Sequence, residues 1–312
     1  MNRSPLPGLL LVLALAAAGC AEAPVGPVAQ APGHTALSAG YVQTAAGERF
    51  ALQTWPARGG GPRAVVLALH GFGDTGEETF RGAAEYWAER GIQTYAPDQR
   101  GFGANSSFKR WPGPEALIAD AVAVSRAVRA AHPGVPLVVV GESMGGGVAL
   151  AAAPRGLEAD AMVLSGPAIA GGAAVNPVVR AGGWALAAAL PDRRWTRDGV
   201  VQVRPTDNPE ALISAGRNPY AYGGASGREL YGLLRLMDLA AAAAPRVETP
   251  TLTLIGANDA ITPPRGIRAV ASRIPGTVRV VEYPEGWHWL FRDIQAQRVW
   301  TDVAAFALSA AR

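Results

Sequence analysis

Short apolar runs recur along the chain and alternate with longer amphipathic segments. Arg49 to Trp55 alternates polar and apolar side chains, a pattern typical of a half-exposed strand. The next run, Ala64 to Leu69, is apolar throughout, which predicts a strand buried on both faces of a parallel sheet. Further strands are predicted at residues 92–96, 137–140, 161–164, 251–255 and 278–283.

Helices are predicted between these strands, at residues 77–90, 114–131, 147–153, 265–273 and 294–308. Pro114 suits the first turn of its helix, and Pro133-Gly134 ends that helix. Strands that alternate with helices in this way indicate an α/β fold, with a mostly parallel central sheet flanked by helices.

The alternation breaks between residues 167 and 245, where Gly, Pro, Trp and Tyr cluster and no core strand is evident. We expect this segment to form a helical lid inserted over the sheet. Its large apolar residues either line an acyl-binding tunnel or pack the lid onto the sheet, and the sequence favours neither. They are Trp184, Leu186, Leu190, Trp195, Leu230, Leu233, Leu234, Leu236 and Met237.

Composition is compatible with one large domain, since 49% of the 312 residues are hydrophobic. The formal net charge is only +3, and the basic residues are scattered, with no run longer than two. This distribution excludes the basic footprint of a nucleic-acid-binding protein.

The N-terminus resembles a targeting segment. A basic Arg3 precedes the apolar run from Leu9 to Ala18, which is too short to span a membrane and predicts a signal peptide over residues 1–19. Residues 20–39 are rich in Ala, Pro and Gly and are expected to be a flexible tether, so the folded domain is predicted at 40–312. Cys20 is the only cysteine, which excludes disulfides and thiolate metal sites in the mature domain.

The candidate chemistry centres on Gly141-Glu142-Ser143-Met144-Gly145, between a predicted strand and a predicted helix. This is the context in which Gly-x-Ser-x-Gly forms a nucleophile elbow. A very tight turn exposes the serine, and it leaves no room for side chains at 141 and 145, where glycines stand. Ser143 is therefore the candidate nucleophile.

A serine nucleophile needs a base, and the chain has four histidines, at positions 34, 70, 132 and 288. The first lies in the predicted tether, the second in the loop after strand 64–69, and the third at a helix end. His288 lies in a loop after the last predicted strand, where a base is able to reach over the sheet edge. It is the candidate base.

The orienting acid is predicted to be Asp259, which also follows a strand and precedes His288 in the chain. Ser, Asp, His is the chain order of α/β hydrolases. Asp207 and Asp238, inside the insertion, remain alternatives, and a turn-capping role remains open for Asp259.

Two backbone N–H groups are candidates for an oxyanion hole. The elbow places the N–H of Met144 at the start of a helix. The second donor is expected in the loop His70-Gly71-Phe72-Gly73, where Phe72 is the natural donor. We interpret His70 as a residue that orients this loop.

Taken together, these motifs resemble the α/β-hydrolase superfamily, in particular its monoacylglycerol lipase and lysophospholipase branch, also called serine aminopeptidase-like hydrolases. The resemblance runs from about Ala64 to the end, excluding most of the insertion. The segments that carry it are 69–72, 97–103, 141–145, 258–263 and 286–289. It implies hydrolysis of a small-molecule ester or lipid through an acyl-enzyme, with no cofactor or metal. An acyltransferase, a peptidase and a non-catalytic binding lipoprotein remain alternatives.

Ala17-Ala18-Gly19-Cys20 resembles the lipobox of bacterial lipoproteins, although alanine replaces the leucine most often found at position 17. The resemblance implies that Cys20 is lipidated and anchors an exported enzyme to a membrane of the cell envelope. No aspartate follows Cys20, which favours the outer membrane if the organism is Gram-negative. The sequence does not predict an oligomeric state.

Overall fold

A computed structural model describes residues 34–171, 176–196 and 203–310. In these residues the strands are β1 (Ala36–Ser38), β2 (Tyr41–Gln43), β3 (Arg49–Trp55), β4 (Ala64–Leu69), β5 (Ile92–Pro97), β6 (Leu137–Glu142), β7 (Ala161–Ser165), β8 (Arg194–Thr196), β9 (Gly224–Ser226), β10 (Thr251–Gly256) and β11 (Val278–Tyr283). The predicted signal peptide, with Cys20, lies outside the described residues.

A single nine-stranded sheet runs through the domain in the order β1-β2-β3-β5-β4-β6-β7-β10-β11. The six strands from β5 to β11 are parallel, whereas β1, β2 and β3 form an antiparallel edge. The residues that follow β4, β6, β10 and β11 therefore all lie at one edge of the sheet. Functional residues of open α/β sheets gather at this edge.

The helices are α1 (Gly76–Ala88), α2 (Pro114–Ala131), α3 (Met144–Ala152), α4 (Pro177–Ala189), α5 (Pro209–Arg217), α6 (Gly227–Ala243), α7 (Pro264–Ala271) and α8 (Ala296–Ser309). On one face of the sheet α1 and α8 pack through Phe80, Trp87 and Val299. On the other face α2, α3, α6 and α7 bury a second apolar cluster. The helices thus cover both faces of the parallel sheet, which confirms the predicted α/β class.

Ordered structure begins earlier than Tyr41, because β1 pairs antiparallel with β2 through Leu37 and Val42. This strand lies inside the segment 20–39 that the sequence predicts as a tether. Three residues between small and polar neighbours carry too little hydrophobic pattern to predict a strand, so this strand is not expected from the sequence.

The lid segment contains α4, α5 and α6 and the short antiparallel pair of β8 and β9. Packing onto the sheet, one of the two roles that the sequence left open, is seen for one of its apolar residues, while others face solvent. Leu236 is fully buried against the core, whereas Trp184 is 56% exposed and Leu190 and Leu230 are also exposed. The surroundings of the Leu186 side chain lie outside what the structure describes.

Within the described part of the chain, each helix is too short or too polar to cross a membrane.

Candidate active site

Ser143 stands alone between β6 and α3, in a backbone conformation with φ +51° and ψ −113°. Among the described residues only Lys109 shares a positive φ without being glycine. Such a conformation is strained for an L-residue and persists only where its surroundings impose it. A β-carbon at position 145 would lie 2.0 Å from the carbonyl oxygen of Leu69, and one at 141 would lie 2.5 Å from the Gly145 backbone. The structure therefore has the predicted tight elbow.

Backbone hydrogen bonds tie the elbow to the next strand. The Ser143 N–H donates to the Ser165 carbonyl at 2.9 Å, and the Ser143 carbonyl accepts the Ala168 N–H at 2.8 Å. Gly166 follows Ser165 and donates its N–H to Leu254 of β10 at 3.0 Å. The elbow is thereby linked to the strand that precedes Asp259.

His288 and Asp259 meet beside Gly166, as their positions after β11 and β10 predict. The Nδ1 atom of His288 lies 2.8 Å from Oδ2 of Asp259, and both residues are 4% exposed. A β-carbon at Gly166 would lie 3.3 Å from each of these two atoms. A side chain here would crowd the pair, and the backbone of Gly166 has a positive φ of 47°, so glycine suits this position.

Asp259 accepts several further hydrogen bonds. Its Oδ1 accepts the N–H groups of Ile261 and Thr262 at 2.8 and 2.9 Å, and the Thr262 hydroxyl lies 2.7 Å from Oδ2. Burial alone would raise the pKa of Asp259, but the hydrogen bond and charge of His288, together with Thr262, outweigh it and lower this pKa. The acid is therefore held ionised beside the imidazole.

Thr262 is a site residue that the sequence analysis missed. Its hydroxyl lies 3.0 Å from the Gly166 carbonyl and 3.2 Å from His288 Nδ1, so it joins the acid, the base and the loop between them. An Asx turn after a strand is a recognisable local signal for the two N–H donors. No sequence signal predicts the bond to Gly166, 96 residues away.

Replacing Thr262 by valine is expected to lower kcat for esters by about tenfold or more, because a hydrogen bond to a charged group contributes roughly 1.5–3 kcal/mol. The backbone N–H of residue 262 still donates to Asp259, so the loss falls short of losing the acid itself. KM is expected to change little. Thr262→Ser keeps the hydroxyl and should retain most of the activity; equal losses in the serine and valine variants would contradict this role.

The two predicted oxyanion donors have no acceptor in the part of the chain that the structure describes. Within the described residues, neither the N–H of Phe72 nor that of Met144 donates to a protein group. Met144 is the first residue of α3, so the helix dipole adds to the positive character of its N–H. Gly71 packs against the elbow, since its β-carbon would lie 3.4 Å from Cβ of Ser143. The Met144 N–H thus directly follows the serine in the chain, and the loop that carries the Phe72 N–H packs against the serine.

His70 holds the loop that contains Phe72, as the sequence analysis expects. Its Nε2 accepts the Gln99 N–H at 2.9 Å, and the Gln99 side chain donates to the His70 carbonyl at 2.7 Å. The ring is fully buried. The candidate base is therefore His288, and His70 orients the loop.

The alternative acids have other partners. Asp238 forms an ion pair with Arg180 between α6 and α4, and Oδ1 of Asp207 accepts the N–H of Ile294 at 2.9 Å. The Asp259 carboxylate is the one seen against the imidazole of His288.

An aromatic cluster connects the lid to the Phe72 loop. The ring of Tyr222, from the lid, lies 5.4 Å from that of Phe72, edge to face, and packs on Phe102 as well. The Tyr222 N–H donates to the Gly73 carbonyl at 3.0 Å. Trp111 also belongs to this aromatic cluster, since its ring packs against those of Phe72 and Phe102. The lid therefore touches the oxyanion loop directly.

Comparison with known proteins places these features in a family. A family model described as serine aminopeptidase, S33 (Hydrolase_4) matches residues 60–295. A monoacylglycerol lipase of Mycolicibacterium smegmatis is 29% identical over 258 residues, which cover 80% of this chain and 89% of that protein.

Two solved structures show the same fold. One is the monoacylglycerol lipase of Paleococcus ferrophilus, with a TM-score of 0.71 and 21% identity over 84% of this chain and 99% of that one. The other is a soluble variant of monoglyceride lipase from Saccharomyces cerevisiae, with a TM-score of 0.71 and 21% identity over 92% and 99%. Both confirm the predicted α/β-hydrolase fold.

Proposed function

The chain belongs to the serine aminopeptidase S33 family, and we propose that it is a serine hydrolase of carboxylic esters of the monoacylglycerol type. One observation carries the proposal. Ser143 stands in a strained elbow whose N–H bonds to Ser165, and the next residue, Gly166, packs against the Asp259–His288 pair. The N–H groups of Phe72 and Met144, which have no protein acceptor among the described residues, belong to the loop against the elbow and to the elbow itself. This is the full set of groups that acyl transfer requires.

The reaction begins when Ser143 Oγ attacks the ester carbonyl and His288 Nε2 takes the hydroxyl proton. Asp259 holds the Nδ1–H tautomer and stabilises the imidazolium. The oxyanion of the tetrahedral intermediate accepts hydrogen bonds from Phe72 and Met144, each of which contributes roughly 10² to 10³ in rate. As the intermediate collapses, the ester C–O bond breaks and His288 protonates the leaving alcohol.

In the second half-reaction water attacks the acyl-enzyme. His288 takes a proton from this water, a second tetrahedral intermediate forms, and its collapse returns the proton to Ser143 Oγ. The products are a carboxylic acid and the free serine. An acyltransferase would differ only here, by admitting an alcohol in place of water.

The lid supports a lipid substrate. Val178 and Trp184 of α4 are 78% and 56% exposed, and Leu190 and Leu230 add exposed apolar surface. If these side chains form one surface, it is of the kind that meets other apolar material. The relative from Mycolicibacterium smegmatis, named as a monoacylglycerol lipase, supports the same class of substrate.

A lipid anchor on Cys20 is part of the proposal. It would place the enzyme at a membrane of the cell envelope, the outer membrane in a Gram-negative cell, next to acyl lipids. Mass spectrometry of the mature N-terminus tests this: a lipid-modified Cys20 is expected, and a free N-terminus beyond residue 20 would contradict it.

A chain-length series of monoacylglycerols tests the substrate class. We expect kcat/KM to rise from acetyl to medium and long acyl chains, because each methylene buried in an apolar site contributes about 0.8 kcal/mol, or roughly fourfold. The same enzyme is assayed on aminoacyl amides and with alcohol acceptors. Preference for acetyl esters alone would contradict the lipid substrate, and cleavage of amides alone would identify a peptidase. Ester products that exceed the free acid when dilute alcohol is added in water would identify a transferase.

A further inference from the structure

A buried ion cluster lies beside the candidate nucleophile and takes no part in the steps above. Arg292 Nη2 lies 2.7 Å from Asp74 Oδ2 and 3.1 Å from Glu142 Oε1. None of the three residues is more than 9% exposed. Removing charges from water is costly, so a buried cluster of this kind marks a specific constraint on the structure.

The three residues come from three segments of the active site. Asp74 follows Phe72 by two residues, Glu142 directly precedes Ser143, and Arg292 follows His288 by four residues. One nitrogen atom therefore joins the loop of the second oxyanion donor to the elbow that holds the nucleophile and the first donor.

The Arg292 side chain is itself held in place. Its guanidinium lies over the ring of Trp289, 3.9 Å from the centroid, and its backbone N–H donates to the Trp289 carbonyl at 2.8 Å. Stacking on an aromatic face suits the planar guanidinium and fixes its direction. Arg292 is therefore held in one orientation while it bridges the loop that contains Asp74 and the elbow that contains Glu142.

The oxyanion loop and the elbow touch near this cluster. A β-carbon at Gly71 would lie 3.4 Å from Cβ of Ser143 and 3.6 Å from Oε1 of Glu142. A displacement of the loop would therefore change the distance between the Phe72 N–H and the oxyanion. Displacements of about 1 Å at a reacting centre are costly in rate.

The charges at this contact are unbalanced. Burial, helped by the charge of Asp74, raises the pKa of Glu142, while Arg292 and His288 lower it. The net result is a pKa of about 7. Arg292 in turn faces Asp74, Glu142 and Glu78 of α1. Without the guanidinium, the carboxylates of Asp74 and Glu142 would repel each other across the contact once both are ionised.

We propose that Arg292 is a positioning residue for ester hydrolysis: by bridging Asp74 and Glu142, it holds the Phe72 loop at its working distance from Ser143. The inference rests on the proposed function, because it assigns Arg292 a part in that reaction. Arg292 acts on the substrate only through the oxyanion loop and the elbow.

Replacing Arg292 by methionine is expected to lower kcat by about tenfold to hundredfold, a part of what one oxyanion donor contributes. KM is expected to change less than about threefold, since the interaction strengthens only in the transition state. The rate at which a fluorophosphonate labels Ser143 should fall in parallel, because phosphylation needs the same oxyanion donors. Arg292→Lys keeps the positive charge but loses the planar guanidinium. Its kcat and its labelling rate should lie between those of wild type and those of Arg292→Met.

The double variant Arg292→Met with Glu142→Gln distinguishes positioning from packing. In the single variant a protonated Glu142 is able to donate to Asp74, so the remaining activity relative to wild type should fall as rising pH ionises Glu142. The glutamine amide donates at every pH, so the double variant should recover several-fold in kcat and lose this pH dependence. A cavity left by the missing guanidinium would persist in the double variant, and no recovery would overturn the proposal.

Arg155 provides a matched control. Like Arg292 it is 9% exposed and bridges to a carboxylate, that of Glu115, and its Nε and Nη1 atoms also lack protein partners in the described residues. It lies beyond the opposite end of α3 from Ser143. Arg155→Met should leave kcat and the labelling rate within about threefold of wild type. An equal loss in both variants would show a general cost of removing a buried arginine and would overturn the inference.

The labelling assay separates this inference from the proposed function. If wild type labels at Ser143 but hydrolyses no ester, the substrate class is wrong and the labelling rates still test Arg292. If wild type hydrolyses esters and folded Arg292→Met labels at the wild-type rate, the inference fails alone. If Arg292→Met does not fold, Arg292→Lys and Glu142→Gln are each compared with wild type by the rate of ester hydrolysis and by the rate at which Ser143 is labelled.

Discussion

Replacing Ser143 by alanine is expected to lower kcat/KM for esters by about 10⁵-fold to 10⁶-fold, since the members of a nucleophilic triad act as a unit. The side chain supplies the only atom that bonds to the substrate. The free N–H groups of Phe72 and Met144 remain, so a residual rate above that of water is expected. Hydrolysis of p-nitrophenyl esters and of a monoacylglycerol measures the loss, and circular dichroism verifies the fold.

Ser165→Ala is the matched control for this loss. Ser165 ends β7, is fully buried, and its hydroxyl has no hydrogen-bond partner in the described residues, while its backbone carbonyl, which the substitution keeps, accepts the Ser143 N–H. Its alanine variant should keep near wild-type activity. Wild-type activity in Ser143→Ala, or a comparable loss in Ser165→Ala, would contradict the assignment of the nucleophile.

The strain at Ser143 gives a second readout on the same position. Glycine tolerates a positive φ, whereas alanine at φ +51° carries the same strain as serine. Ser143→Gly should therefore be more stable than Ser143→Ala by about 1 kcal/mol, the lower end of the cost of such a conformation. Both variants lack the nucleophilic hydroxyl and differ from each other only in the β-carbon, so the difference between their free energies of unfolding in urea reports the strain.

Most of the sheet could be predicted from the sequence because its strands are clearly bounded. Residues 49–55, 64–69 and 278–283 form strands with the predicted ends, and helix 114–131 also has its predicted limits. Proline or glycine flanks several of these elements and stops them locally. Where local chemistry and hydrophobic pattern agree, the sequence predicts the element.

The helix after the elbow shows where local chemistry is overruled. It was predicted from Gly147 but begins at Met144, so that Gly145, Gly146 and Gly147 lie in its first turns. Glycine disfavours helix formation by about 1 kcal/mol relative to alanine, which is why the sequence analysis began the helix later. A β-carbon at Gly146 would lie 2.7 Å from Pro167, so these glycines allow α3 to pack closely on the strand ends.

The sequence predicts a helical lid but not the bounds of its helices, although two of them have local start signals. Asn208-Pro209 caps α5, and Ser226 with Glu229 forms a capping box at the start of α6. These signals could have located both helices. The direction in which each apolar residue faces depends on packing against distant elements, as Leu236 shows by reaching the core while Leu230 of the same helix is exposed.

The candidate triad could be predicted because each member follows a strand of one parallel sheet. Thr262 and Arg292 could not, because their decisive contacts join residues far apart in sequence: Thr262 reaches Gly166, and Arg292 reaches Glu142, 150 positions away. A single sequence has no periodicity that links such positions. They become visible only when the strand order brings their loops together.

Replacing Asp259 by asparagine is expected to lower kcat for esters by about 10⁴-fold. Asp259 accepts the Nδ1–H of His288, which leaves Nε2 free to accept the serine proton. An asparagine amide places an N–H₂ group against one of the donors that surround this carboxylate, from His288, Ile261 and Thr262. The imidazole then loses both its tautomer control and the negative charge that stabilises its protonated form.

The same substitution has a signature in stability. Because the pKa of Asp259 is lowered in the folded protein, its ionised form stabilises the fold at every pH above its ordinary pKa of about 4. This contribution is lost as pH falls through the lowered pKa. The free energy of unfolding should therefore be lower in Asp259→Asn than in wild type at neutral pH, and the two should converge in acid.

Asp238→Asn is the control for both readouts, because Asp238 is one of the two lid carboxylates that the sequence leaves as alternative acids, and it pairs with Arg180. Its variant should retain kcat within about threefold, since a partly exposed ion pair contributes at most about 1 kcal/mol. A 10⁴-fold loss in Asp238→Asn with activity retained in Asp259→Asn would transfer the role of the acid to the lid. A loss in Asp259→Asn without the convergence in acid would mean that its carboxylate is not held ionised by His288 and Thr262, and that its effect on rate has another cause.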